Sequence, residues 1–476
     1  MSALLQKLAS LVSWLMSLPA TLQYLLKPAV VLKAYFDEVV GRDQTEVSVC
    51  LDLWPRGFLG PHRALRVRRH FTIIIDVSSS MRDEGRLECA KCAACAAIRL
   101  IDPLDGFSVI AFAATAWVVH REPGLPPGSP TNLQEVRAAA AAQEIMRLTT
   151  SSNTNYQAAL ELAHEEFRQS CAEEGQALLL SDGEHNTGDL QEALALLRKS
   201  RQEGQVFAIA CRRVGSERRQ WCGRRQRVNC LKQICDTTFG GVVKVISQVT
   251  NLEAEFRQWV EAIYACTISD LRMVIELEDY VRLDRLHQVV PSVASLTDQI
   301  RPLGDGRYVV YLGSTANVER RFYLRLSLTK TIGVINQPVR LAQVSVEYTH
   351  KDAECVDPKS EDVLDPMNVY IWYNPEKIGP ANLPRLVEAA ADRIAYFDAV
   401  GLGLEAWVAG RRDEASEHLG TAAQLALKWN DVASLEYLSK VVQTHDADQG
   451  IVQMRTDAEI GDAGMELESQ SDQTSF

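Results

Sequence analysis

The spacing of apolar residues changes character several times along the chain. Residues 30–36 and 46–53 read as extended segments. Residues 71–76 (FTIIID) are a short, continuous apolar run of the kind a strand covered on both faces requires. From there strands and helices alternate: helix 86–100, strand 107–112, helices 132–148 and 156–169, strand 177–180, helix 189–202, strand 205–210 and helix 251–266. This alternation predicts an α/β domain over residues 71–266, an open, parallel, Rossmann-like sheet with helices on both faces. Ligands of such sheets sit at the carboxyl ends of the strands.

Beyond residue 266 helical spacing disappears. Residues 271–277, 308–312, 321–328 and 339–348 read as strands, with a turn at Gly304-Asp305-Gly306. We expect a β-sandwich over 267–365, completed by strands from 29–70. Residues 366–380 read as a linker. Helices at 382–399, 403–409, 413–428 and 431–442 then predict a helical bundle over 366–446. The tail, 447–476, carries seven acidic residues against Arg455 and few apolar ones, which predicts disorder. At the other end, Leu4, Leu8, Leu11, Val12, Leu15 and Leu18 recur at helical spacing, predicting an amphipathic docking helix within 1–28. A short signal-peptide core or membrane-associated segment is the alternative, but Leu18-Pro19-Ala20 is a poor cleavage site.

The 476 residues carry 50 Lys and Arg against 62 Asp and Glu, a net charge of −12. That balance argues against a general binder of nucleic acid or anionic membrane. The 11 cysteines are odd in number in a long chain, which favours a reducing, cytoplasmic setting over a disulfide framework.

Three loops bear oxygen ligands. Asp76-Val77-Ser78-Ser79-Ser80 follows the first apolar strand, Ser152-Asn153-Thr154-Asn155 opens a helix, and Ser181-Asp182-Gly183 ends another strand. Together Asp76, Ser78, Ser80, Thr154 and Asp182 offer two carboxylates and three hydroxyls, a set suited to Mg²⁺ or Mn²⁺ and not to zinc. Water and an acidic partner oxygen would complete the shell.

These elements resemble the von Willebrand factor A domain family and its metal-ion-dependent adhesion site. DVSSSM (76–81) matches the D-x-S-x-S element, TNYQAAL (154–160) the threonine element and SDG (181–183) the final aspartate element. The resemblance covers about 71–266. It implies that the Ser78, Ser80 and Thr154 hydroxyls approach the metal while Asp76 and Asp182 act mainly through water. Ser79 stands where glycine is frequent in the family, and Ser152-Asn153 replaces glycines, so the backbone has less freedom here. With the sandwich and helical regions, the chain also looks like bacterial and archaeal multidomain proteins in which this domain is an interaction or assembly module. The resemblance implies reversible, metal-bridged capture of a partner's Asp or Glu by a non-enzymatic adaptor.

Two alternatives differ in class. The chain contains no G-x-x-x-x-G-K-[ST] loop, so an accessory subunit would leave nucleotide hydrolysis to a partner ATPase. A metal-dependent hydrolase would use His185, the histidine nearest the aspartate element.

Against the acidic chain, residues 212–227 stand out. Arg212, Arg213, Arg218, Arg219, Arg224, Arg225 and Arg227 face one acid, Glu217. Three readings compete: a solvated loop, a dock for a phosphorylated or acidic partner, or a clasp for the acidic tail. With only Trp221 as a stacking ring, the loop does not predict specific nucleic-acid binding. Cys89, Cys92 and Cys95 lie in an Ala-rich helix and read as core packing. Cys211, Cys222, Cys230 and Cys235 bracket the basic stretch without a recognised zinc spacing.

Overall fold

The computed structural model describes residues 29–41, 44–56, 68–126, 128–130, 132–182, 187–203, 205–214, 230–231, 233–235, 237–238, 244–246, 252–264, 268–315, 319–329, 337–350, 361–363, 366–374, 376–377, 383–446, 449–455 and 467. The predicted helix within 1–28, His185, Cys222 and five of the seven insert arginines (218, 219, 224, 225 and 227) lie outside them.

Three strands come first: β1 (Ala29–Phe36), β2 (Val39–Val40) and β3 (Glu46–Arg56). The α/β region follows with β4 (Arg69–Asp76), a 3₁₀ segment (Ser79–Gly85), α1 (Arg86–Leu100), β5 (Gly106–Phe112), β6 (Ala116–Glu122), α2 (Leu133–Met146), α3 (Tyr156–Gln169), β7 (Glu174–Ser181), α4 (Leu190–Gln202), β8 (Val206–Val214), β9 (Lys244–Ile246) and α5 (Leu252–Tyr264). Its sheet has the order β6-β5-β4-β7-β8-β9, parallel except for β6, which runs antiparallel at one edge. Residues of β4 alternate between two cores. Ile73 and Ile75 meet α1, α2 and α5, whereas Ile74 meets α3 and α4. In α1, Ala90, Ala93, Ala94 and Ala97 are fully buried, and their small side chains let the helix lie close to the sheet. Cys89 and Cys95 pack beside them and Cys92 is exposed, all as free thiols.

The second body is built from β10 (Ile268–Leu277), β11 (Val281–Val290), β12 (Ala294–Ser295), β13 (Arg301–Gly304), β14 (Arg307–Thr315), β15 (Arg320–Leu328), β16 (Pro338–His350), β17 (Glu361–Val363) and β18 (Met367–Tyr373). One sheet has the order β1-β3-β15-β11-β12; the other is β13-β14-β10-β16-β18-β2, with β17 pairing β16. Leu51, Leu53, Phe322 and Leu324 of the first meet Met273, Ile275, Val344 and Val346 of the second in one core.

The helical region holds α6 (Arg385–Val408), α7 (Arg412–Lys428) and α8 (Val432–Val441), followed by the hairpin β19 (Val442–Asp446) and β20 (Ile451–Met454). Val387, Ala390 and Ile394 of α6 pack on Cys50, Val289, Val293 and Tyr323, the face of the first sheet that points away from the sandwich core.

Three expectations need correction. Residues 366–380 do not form a plain linker ahead of an all-helical 366–446 region. Met367–Tyr373 is a strand pairing β16 and β2, with Val369 and Ile371 inward and Tyr370 and Trp372 outward, a period-2 pattern masked by the flanking prolines. Residues 403–409 are not a separate helix. α6 runs unbroken through Gly401 and Gly403, and a Cβ on Gly403 would come within 2.7 Å of Leu419 Cγ, so glycine there permits the close approach of α7. Nor is all of 447–476 disordered. Ile451–Met454 pairs with β19, and Val452 and Leu467 are buried in the bundle core, because edge hydrogen bonds and a few apolar side chains suffice to anchor a polar segment.

Candidate metal centre

The carboxyl ends of β4 and β7, adjacent parallel strands, place Asp76 beside Ser181 and Asp182. Backbone bonds then gather the loops. Val77 N–H donates to Phe112 O (2.9 Å) and Ser151 N–H to Val77 O (2.6 Å). Thr187 N–H and Oγ1 both donate to Thr154 O at 3.2 Å. Asn155 caps α3, its Oδ1 accepting from Ala158 N–H at 3.2 Å. Asn153 takes the left-handed conformation (φ 62°), which asparagine tolerates, so the missing glycine is replaced without removing the turn.

Asp76 is fully buried. Its Oδ1 accepts from Ser78 N–H (2.8 Å) and its Oδ2 from Ser181 Oγ (2.6 Å). Tyr156 OH lies 2.7 Å from that same Ser181 Oγ. Ser181 spends its proton on Asp76, so Tyr156 donates to Ser181 and the three form a buried relay. Burial first, and the neighbouring Asp182 carboxylate second, push the Asp76 pKa up to about 7 against the hydrogen bonds from Ser181 and Ser78.

Ser78 Oγ and Ser80 Oγ are 3.0 Å apart. Asp182 is buried, and Arg86 Nη1 donates to its Oδ2 at 3.0 Å and to Ser80 O at 3.3 Å. Arg86 thus joins the first and third loops. Thr154 is fully buried at the mouth of α3. All five residues expected from the sequence therefore lie at the carboxyl ends of β4 and β7 or on the loops hydrogen-bonded there. Their chemistry fits a hard divalent cation: two carboxylates close enough for one to raise the other's pKa, with hydroxyl oxygens at hand.

Arg86, Ser181 and Tyr156 were not singled out by sequence reasoning. In the first turn of α1 the Arg86 cation opposes the helix dipole, and its pairing with Asp182 offsets that unfavourable placement. Ser181 and Tyr156 lie inside the SDG and TNYQAAL elements, but their roles toward Asp76 arise only from the pairing of β4 with β7 and the packing of α3.

The basic stretch begins inside β8. Arg212 is 4% exposed and its Nη1 donates to Cys211 O (3.1 Å), so its guanidinium is part of the sheet's buried margin. Arg213 is the next strand residue. Cys211 and Cys235 are buried in the core beside α3 and α4, with Cys230 packed against it. Among the described residues, no three His, Cys, Asp or Glu side chains gather into a metal cluster, and no helix is long and apolar enough to cross a membrane.

The parallel sheet and the helices on its faces are those of a von Willebrand factor A fold. Residues 71–185 match the family model for the von Willebrand factor type A domain. The whole chain resembles the structure of "von Willebrand factor type A from Catenulispora acidiphila", with a TM-score of 0.77 and 21% identity over 94% of this chain and 97% of that one. It also resembles "the ArnB paralog VWA2 from Sulfolobus acidocaldarius", with a TM-score of 0.53 and 14% identity over 93% and 98%. Among curated proteins none matches the chain. The chain thus contains a von Willebrand factor A domain, a family whose members generally mediate protein–protein interactions.

Proposed function

We propose that this chain is a non-enzymatic adaptor that captures an acidic residue of a protein partner through a divalent cation, Mg²⁺ or Mn²⁺, at Asp76 and Asp182, at the carboxyl ends of the adjacent strands β4 and β7. The observation that carries this reading is the convergence of two buried carboxylates with the Ser78 and Ser80 hydroxyls at the carboxyl ends of adjacent strands. The cation would supply a positive charge with a coordination position open to a partner oxygen. Ser78, Ser80 and Thr154 would offer hydroxyl oxygens to it, and Asp76 and Asp182 would balance its charge. The Ser181 hydroxyl and the Ser78 amide orient Asp76, and Arg86 orients Asp182. Arg213 and the basic residues that follow it would add a second contact for an acidic surface.

A pull-down from native-source lysate tests the reading, run in Mg²⁺, in EDTA and with Asp76→Ala. A partner retained by the wild type in Mg²⁺ alone is the expected result. Retention under all three conditions would move the function to the sandwich, the bundle or the basic loop.

A further inference from the structure

We infer that the partner's acidic residue is read together with an apolar residue and a second carboxylate close to it in sequence, through a groove beside the candidate metal centre; this rests on the metal-bridged reading above. The groove is a cavity of about 380 Å³ between the 3₁₀ segment and the carboxyl end of α2. Met81, Leu87, Met146 and Leu148 give it apolar walls, and Arg82 and Arg147 stand at its rim.

Its position ties it to the metal loops. Met81 directly follows Ser80, and Thr150 on the groove's other wall precedes Thr154 by four residues. Arg82 Nε donates to Thr150 Oγ1 at 3.3 Å, across the two walls. A peptide whose carboxylate sits at the Ser78–Ser80 loop therefore meets this groove with its neighbouring residues.

The lining defines the chemistry of the occupant. Met146 is 50% exposed at the end of a helix, although a methionine gains most when covered. Leu148 is half-buried, while Met81 and Leu87 form the floor. An aliphatic side chain would cover this surface. Of the four charged groups lining the cavity, the Glu88 carboxylate is paired with Lys91, and Lys91 is thereby engaged. Its buried ammonium donates to Glu88 Oε1 (2.8 Å) and Met146 O (3.4 Å), fixing the end of α2. Arg82 and Arg147 remain as exposed guanidinium groups on an acidic protein, a pair that suits a carboxylate. Charge complementarity thus selects an acidic, aliphatic segment over a basic or purely polar one.

The test uses the full chain and acetylated hexapeptides in a glycine background, titrated in Mg²⁺ by calorimetry. The first carries one aspartate, the second adds a leucine two positions away, and the third adds a glutamate after the leucine. Each is made in both chain directions. The leucine and glutamate together should tighten binding by about tenfold or more. Arg82→Glu with Arg147→Glu, and separately Met146→Asp, should remove that gain while leaving the aspartate-only peptide unaffected. These positions are exposed, so an unchanged melting temperature certifies the fold.

Asp76→Ala separates the two readings. Mg²⁺-dependent binding with no gain from leucine or glutamate overturns the groove and keeps the metal. Mg²⁺-independent binding that the arginine substitutions abolish keeps the groove and overturns the metal. No binding of any peptide up to millimolar concentration overturns both.

Discussion

Arg86 Nη1 lies 3.0 Å from Asp182 Oδ2 and bridges to the Ser80 carbonyl, so a guanidinium spans two of the three loops that carry the candidate metal ligands. The pair is mostly buried, with the Arg86 side chain 17% exposed and that of Asp182 2%. A fixed positive charge beside the candidate cation site would oppose a cation there while holding the Asp182 carboxylate in place.

Arg86→Gln should therefore raise the affinity for Mn²⁺ by about three- to tenfold, since removing a like charge at this range in a partly solvated site is worth on the order of 1 kcal/mol. Calorimetric titration with Mn²⁺ reads it. A weakened or lost Mn²⁺ response would mean that orientation of Asp182 outweighs the repulsion.

The relay from Tyr156 through Ser181 to Asp76 is entirely buried. Ser181→Ala takes a donor from a buried carboxylate and should cost about 1–3 kcal/mol in urea unfolding. Tyr156→Phe removes a hydroxyl one step further out and should cost about 0.5–1.5 kcal/mol. Equal costs would show that Ser181 does not hold Asp76 directly.

His70 gives the α/β domain a pH dependence. The Ser108 hydroxyl donates to Thr72 Oγ1 (3.4 Å) and accepts from His70 Nε2 (3.0 Å), which fixes the proton on Nε2 and leaves Nδ1 as the atom that titrates. Burial lowers its pKa to about 4; Glu166 pulls the other way and Arg121 adds to the fall. The folded pKa lies below the unfolded one, so the unfolded state binds the proton first. The stabilisation is complete above about pH 6.5 and is lost as pH falls toward 4. Between pH 7 and 5 the wild type should lose about 2 kcal/mol more than His70→Gln in urea unfolding. Parallel losses would place the acid sensitivity elsewhere.

Gly420 on α7 supports the terminal hairpin. A Cβ there would lie 2.0 Å from Gly450 O, so Gly420→Ala should push the β19–β20 turn off the helix and cost about 2 kcal/mol or more. Gly401, in α6 with nothing within 4 Å of a methyl added there, is the opposite case. Gly401→Ala should stabilise by about 0.5–1 kcal/mol through helix propensity. Calorimetric melting of both variants checks the pair, and a melting temperature unchanged by Gly420→Ala would detach the hairpin from the bundle.

Much of this architecture was legible without coordinates. A strand covered on both faces must be apolar throughout, so FTIIID and ALLL marked β4 and β7. Helix periodicity marked α1, α3 and α4 because each buries one face. Asp76, Ser78, Ser80, Thr154 and Asp182 stood out because hard-oxygen residues clustered where two strands end and a helix begins. The antiparallel edge strand β6 was not legible. Its residues are half-buried in mixed order, and its place depends on hydrogen bonding to β5.

The sequence by itself determined the strongly periodic strands and helices and which loops bear oxygen donors, since those follow from local periodicity and residue chemistry. Tertiary structure decided what depends on contacts between distant residues. It set Arg86 against Asp182 across 96 positions and Ser181 against Asp76 across 105. It drew Met367–Tyr373 into the sandwich and Leu467 into the bundle. Strand pairing and core packing reward partners by proximity in space, and that proximity leaves no periodic trace along the chain.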